Sequence, residues 1–169
     1  NVTLVDAGAI DLGASTVSGT YAVTATAGGD ISDSGVLAIT GTSTFTVANG
    51  QSVILDEAST FATVTFTSAG TIASVTINDS NALDLGALTL SGNLNVTAGG
   101  AVTDSGTLVV PGTATISASG QNITLDDSSS NFGTIALTGA NVSIRDTNAV
   151  ILGASTISGT YTVIAAGDI

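Results

Sequence analysis

The chain has 169 residues, thirteen of them acidic and only one basic, Arg145, giving a formal charge of −12. So few cations cannot displace counterions from a phosphate backbone or hold an anionic bilayer, which excludes nucleic acid and acidic lipid as partners. Hydrophobic residues make up 43% and charged ones 8%, too apolar for a disordered chain, and with no His, Cys or Lys there is no triad, thiol nucleophile, Schiff base or His-ligated metal.

Taken in chain order, the first β-branched residue after each turn is Val2, Ile31, Val53, Val75, Val102, Ile123, Val142 and Ile169. A long step, Val2 to Ile31, is followed by two shorter ones, and the cycle then begins again at Val75. The mean step is about 23, and three steps make a super-repeat of about 70. Within each step, polar and apolar residues alternate with period two, which is strand patterning. In TSTFTV, Phe45 and Val47 face one way and Thr42, Thr44 and Thr46 the other. In the matching TATISA, Ile116 and Ala118 face inward while Thr113, Thr115 and Ser117 face outward. Leu37/Ile39 and Leu108/Val110 are the inward pairs of VLAI and TLVV. Turns such as TAGGD, ANGQ and ASGQ separate the strands.

The repeat is written letter by letter. ISDSGVLAITGTSTFTVANGQSVILDE (31–57) lies over VTDSGTLVVPGTATISASGQNITLDD (102–127), and LGASTVSGTY (12–21) returns two super-repeats later as LGASTISGTY (152–161). A sandwich supplies short strands but no reason for like residues to recur at a fixed step. Stacked coils do supply one. The expected fold is all-β: a right-handed parallel β-helix, or β-solenoid, of about seven coils of roughly 23 residues with a three-coil super-repeat. One continuous solenoid should run over 1–169, with super-repeats near 1–70, 71–140 and a partial 141–169. The absence of Met and of an evident cap points to an internal stretch of a longer protein. There is no signal-peptide pattern and no apolar run near the ~20 residues that span a bilayer.

Every coil in this reading carries an aspartate soon after its leading residue: Asp6, Asp33, Asp56, Asp79, Asp104, Asp126 and Asp146. If they align as a ladder they crowd like charge, costing roughly 1 kcal/mol per neighbouring pair at ~5 Å in water. Gly or Asn two residues on, as in DAG, DSG, DSN and DTN, fits Asx turns that close the strands. A calcium-binding edge is the sharper alternative, and its local doublets are Asp56/Glu57 and Asp126/Asp127. The Ca²⁺ nonapeptide of β-rolls and the EF-hand loop are both absent. Two carboxylates suffice for glycoside cleavage, but Asp84, Asp126 and Asp127 follow the repeat rather than interrupt it. Arg145 precedes Asp146 and offsets local charge. No catalysis and no cofactor are expected. Thr rows in TSTFT (42–46) and TVTFT (63–67) suggest a face for ice or polysaccharide, though Ala136 and Ser117 interrupt the pattern. Five N-x-S/T sequons begin at Asn1, Asn78, Asn95, Asn122 and Asn141.

GGDISDSGVLAITGTSTFTV, GGAVTDSGTLVVPGTAT and LDDSSSNFGTIALTGANVSIRDTNAVILGAS together resemble the repeats of very large bacterial surface exoproteins. These are the filamentous-haemagglutinin-like adhesins exported by two-partner secretion. The resemblance covers essentially the whole chain. It implies a right-handed parallel β-helix, an extracellular or cell-surface address, and a role as adhesin shaft with an unknown surface ligand. It carries over no binding residues. End-to-end or lateral self-association is a further expectation, because open strand edges invite pairing.

Overall fold

A computed structural model describes residues 1–169. The nineteen strands pair in parallel and no helix is present. The chain winds as a β-solenoid, and two ladders of inward side chains run along it. The front ladder reads Val2, Tyr21, Ser43, Val64, then Leu83, Val102, Ile123, Val142 and Tyr161. The back ladder reads Ile10, Ile31, Val53, Val75, Leu94, Ala114, Ile135 and Leu152.

The coils are shorter and more numerous than the sequence spacing suggested. Seven coil steps separate Val2 from Val142, and about eight coils are formed in all. At ~4.8 Å per coil the rod is about 38 Å tall. The long sequence steps explain the difference. Val2 lies on the front ladder and Ile31 on the back one, so the step between them is a coil and a half. The same holds for the step from Val75, on the back, to Val102, on the front. The super-repeat is therefore three and a half coils, not three. Equivalent segments of successive repeats face opposite sides of the rod, related by a half turn about its axis.

This half turn shows in strand length. In the first repeat the front carries the longer strands, Val2–Asp6 and Tyr21–Ala25, while the back carries Ile10–Leu12 and Ile31–Asp33. In the second the back carries Val75–Asp79 and Leu94–Ala98, and the front carries Leu83–Leu85 and Val102–Asp104. A third short ladder fills the side between them: Val17, Ile39 and Phe61 on one side, then Leu88/Leu108 and Val110/Phe132 on the other. Gly50 and Gly120, equivalent glycines of ANGQ and ASGQ, turn the chain with positive φ (77° and 72°) that other residues adopt only with strain.

The interior is one cluster of 39 buried apolar residues. All the expected inward pairs lie in it: Leu37/Ile39, Phe45/Val47, Leu108/Val110 and Ile116/Ala118. Burial of each Val, Leu or Ile contributes ~1.5–3 kcal/mol, shared between adjacent coils. Phe45 is the centre of an aromatic group. Its ring lies 6.3 Å from Tyr21 and 6.1 Å from Phe61, both edge-on, and 6.0 Å from Phe66, stacked. Ile169, expected to lead an eighth coil, is instead 65% exposed.

One seam interrupts the front. Residues 63–68 pair upward with Thr42–Val47 but make no ladder to Leu83–Leu85 below. Small gaps open there, lined by Val64, Phe66, Leu85 and Leu88 on one side and by Phe61, Asp79 and Leu83 on the other. At the equivalent junction half a turn away, Thr134↔Ile151 and Ile135↔Leu152 do pair. That junction has Leu137 and Ile116 where the first has Phe66 and Phe45, so the bulkier stacked rings account for the spread coil.

Candidate functional site

The seven predicted aspartates do not stack as a ladder. Their neighbours along the coils are Ala25 beside Asp6, Ala98 beside Asp79, Ala165 beside Asp146, Leu12 beside Asp33 and Leu85 beside Asp104. The cause is the half turn. Asp6, Asp79 and Asp146 are repeat equivalents, and each is carried to the opposite side from the last. Like charge meets across coils at two corners, where Asp33 lies near Asp56/Glu57 and Asp104 near Asp126/Asp127.

What the carboxylates do falls into two patterns. Asp6, Asp79 and Asp146 each accept the backbone N–H two residues on, from Gly8 (2.7 Å), Asn81 (2.9 Å) and Asn148 (2.8 Å), closing Asx turns. Asp79 and Asp146 also accept the N–H of Phe61 (3.4 Å) and Phe132 (2.6 Å), equivalent residues of the side ladder. Asp33 and Asp104 instead reach the next coil. Asp33 accepts the N–H of Asp56 and Glu57 (2.9 and 3.4 Å), and Asp104 accepts those of Asp126 and Asp127 (3.0 and 3.3 Å). Burial pushes the carboxyls of Asp33, Asp79 and Asp104 above the usual aspartate range, and the backbone donors only partly oppose it. Second oxygens of Asp33 and Asp79 are buried without a partner.

The two acid doublets proposed for calcium lie on opposite sides of the rod. Asp56/Glu57 follow the back strand at Val53, and Asp126/Asp127 follow the front strand Ile123–Leu125. Their backbone N–H groups are engaged as above, and Asp127 also accepts from Ser129 (2.8 Å) and Thr107 (3.2 Å). No three acidic side chains converge on a point that could hold a metal ion. Asp84 accepts hydroxyls of Thr103 and Ser105, as its equivalent Asp11 accepts those of Ser32 and Ser34.

Two features escaped the sequence reading, and of a third, the outward threonine rows, it missed the division between two opposite faces. Ser59 and Ser130 lie fully inside, and their hydroxyls accept the buried N–H of Leu37 (2.9 Å) and Leu108 (3.0 Å). Asparagines at the coil corners bind the backbone of the next coil: Asn1 to Thr20, Asn49 to Thr71, Asn93 to Thr113, Asn141 to Thr160. The signal for these was present, an Asn before the leading Val in NVT and NVS and Ser59 in the same place as Ser130. Alternation alone marks such residues as surface.

The third feature is the arrangement of the outward threonines. On the front of the first repeat, Thr42, Thr44 and Thr46 pair in register with Thr63, Thr65 and Thr67. Thr46 and Thr67 share a hydroxyl–hydroxyl hydrogen bond of 2.7 Å. The coil above presents Thr20, Ala22 and Thr24, and the one above that Thr3 and Val5. On the back of the second repeat the same positions hold Ser74, Thr76 and Asn78, then Asn93, Asn95 and Thr97, then Thr113, Thr115 and Ser117, then Thr134, Ala136 and Thr138. Each repeat thus builds one pad of short, uncharged side chains, and the two pads face opposite ways. The acids keep to the turns and to the short-strand faces, as with Asp11 and Asp84.

Neither a curated protein nor a solved structure matches the chain. A family model matches it in tandem, over residues 1–68, 72–138 and 139–169, and each stretch begins where the structure begins a new three-and-a-half-coil unit. On that match over nearly its whole length, the chain belongs to the family of repeats of unknown function, DUF5649.

Proposed function

We propose that this chain is part of the shaft of a secreted or cell-surface bacterial exoprotein, a stiff acidic rod that presents or spaces adhesive parts. The observation that carries the reading is the single interior cluster, ordered as parallel ladders along the whole chain and flanked by short turns. The coil corners are tied by asparagine and aspartate bonds to the next coil, which favours length and rigidity over a cleft. The filamentous-haemagglutinin-like resemblance supports the same role and an address outside the cell. Electron microscopy of the native polypeptide tests it. Rods that lengthen by ~4.8 Å for each added coil are expected, with immunogold labelling at the cell surface; compact particles or cytoplasmic label would overturn it.

The second reading is a subunit of an extracellular filament, in which coils of different copies pair in parallel as successive coils of this chain do. Sedimentation across a concentration series separates the two, since only the filament grows with concentration.

A further inference from the structure

The two pads are the same device built twice from different residues. Pad one, on the front, is almost wholly Thr. Pad two, on the back, has Asn93 and Ser117 where pad one has Thr20 and Thr46, Asn78 and Asn95 where it has Val5 and Ala22, and Ala136 where it has Thr65. Apart from Ala136, each of these residues carries a hydrogen-bonding group of short reach, and none brings charge. In a chain with thirteen acids, two such faces of four coils present none, so a neutral partner can dock there without desolvating a charge.

Their geometry says what kind of partner fits. Outward groups repeat at about 6.6 Å along a strand and ~4.8 Å between coils, and the gaps at the seam beside Thr63 and Thr65 are too small to enclose a small molecule. Threonine is stiff at χ1, so the hydroxyl and methyl rows are held in place before contact and little side-chain freedom is lost on binding. Flat faces of alternating hydroxyl, amide and methyl groups suit an extended polymer that offers hydroxyls along its edges and C–H groups on its faces. The mixed chemistry of pad two argues against a partner with a rigid lattice, such as ice, because unlike groups occupy equivalent lattice points. Charge argues against a second copy, because face-to-face pairing brings two chains of −12 together.

We propose that the pads bind uncharged, extended polysaccharide, and that the half-integer winding makes each pair of repeats a two-sided linker able to hold one glycan chain on each face. Two separate pads on one rigid rod give avidity to a surface of many chains without any new contact.

The experiment uses the whole chain on a panel of immobilised neutral glycans: cellulose, chitin, β-1,3-glucan and α-mannan. At least one should retain the chain, and the soluble hexasaccharide of that glycan should bind with a stoichiometry of two. Thr44→Asp with Thr65→Asp disables pad one, and Thr97→Asp with Thr115→Asp disables pad two. Each pair should lower the stoichiometry to one and abolish cross-linking of soluble glycan while retention persists; all four together should abolish retention. Thr65→Val and Thr115→Val, which keep strand propensity and lose only the hydroxyl, give the weaker form of the same result should the aspartates unfold the coil. No retention on any glycan overturns the proposal, as does retention that survives all four substitutions. Thermal hysteresis or dimerisation in place of glycan binding also overturns it, and assigns the pads to ice or to a second copy instead.

Discussion

Ser59→Ala is the sharpest test of how the interior is held together. Ser59 is wholly buried, and its hydroxyl is the acceptor for the N–H of Leu37, itself fully buried. Alanine leaves that donor without a partner in a space its own methyl largely fills, so water cannot take over. A buried donor left unmatched costs about 1–3 kcal/mol. Ser130 does the same for Leu108 half a turn away, so Ser130→Ala should cost a like amount. The two sites lie three and a half coils apart, ~17 Å along the axis, and distant sites add to within about 0.5 kcal/mol. The double variant should therefore lose about 2–6 kcal/mol. Coils in a solenoid open locally, so amide exchange at Leu37 and Leu108 is the assay, each reporting its own opening free energy. An exposed control, Ser129→Ala, should change neither by more than about 0.5 kcal/mol. If Ser59→Ala leaves exchange at Leu37 unchanged, the buried hydroxyl is not what satisfies that amide and the account of the side ladder fails.

The aspartates, the aromatic group and the seam give further tests. Asp33, Asp79 and Asp104 have folded-state pKa values raised above the ordinary 3.8, so below that value both states are protonated and the folded chain is at its most favourable. As pH rises from about 3.8 through the raised folded values, the unfolded state loses its protons first and stability falls. The melting temperature should thus be higher near pH 4 than at pH 7, the reverse of ordinary acid denaturation, and Asp33→Asn with Asp104→Asn should flatten the slope; a melting temperature that falls on acidification of a soluble sample refutes this. Asp146→Ala removes two backbone bonds to a carboxylate and should cost about 1.5–3 kcal/mol or more in chemical denaturation, whereas Asp56→Ala, whose carboxylate accepts no backbone bond, should cost well under that. Phe45→Ala should cost ~3–5 kcal/mol and exceed Ile116→Ala, its equivalent in the second repeat, because three ring contacts go with it. Amides of 63–68 that face the seam should exchange faster than those of 135–139, and Phe66→Leu should slow them by letting the coil close on Leu83–Leu85.

Much of this fold lies open in the letters. Strict alternation in TSTFTV and TATISA marks Phe45, Val47, Ile116 and Ala118 as interior, because side chains on a strand point alternately to opposite faces. Self-similarity from 31–57 to 102–127 marks a repeat, and repeats of short strands without helices stack as coils. Asx turns at Asp6, Asp79 and Asp146 are local, set by residues two apart, so Gly8, Asn81 and Asn148 could signal them. Ladder partners are another matter. The register that pairs Val2 with Tyr21 rather than with Ile31 is a contact between positions far apart in the chain, chosen by which strands can share hydrogen bonds once the chain has turned, and no local pattern encodes it. From that register alone come the half-integer winding, the dispersal of the aspartates and the two pads facing opposite ways. A period in sequence counts residues, whereas a coil counts turns of the backbone in space; the two need not be whole multiples, and here they differ by half a turn.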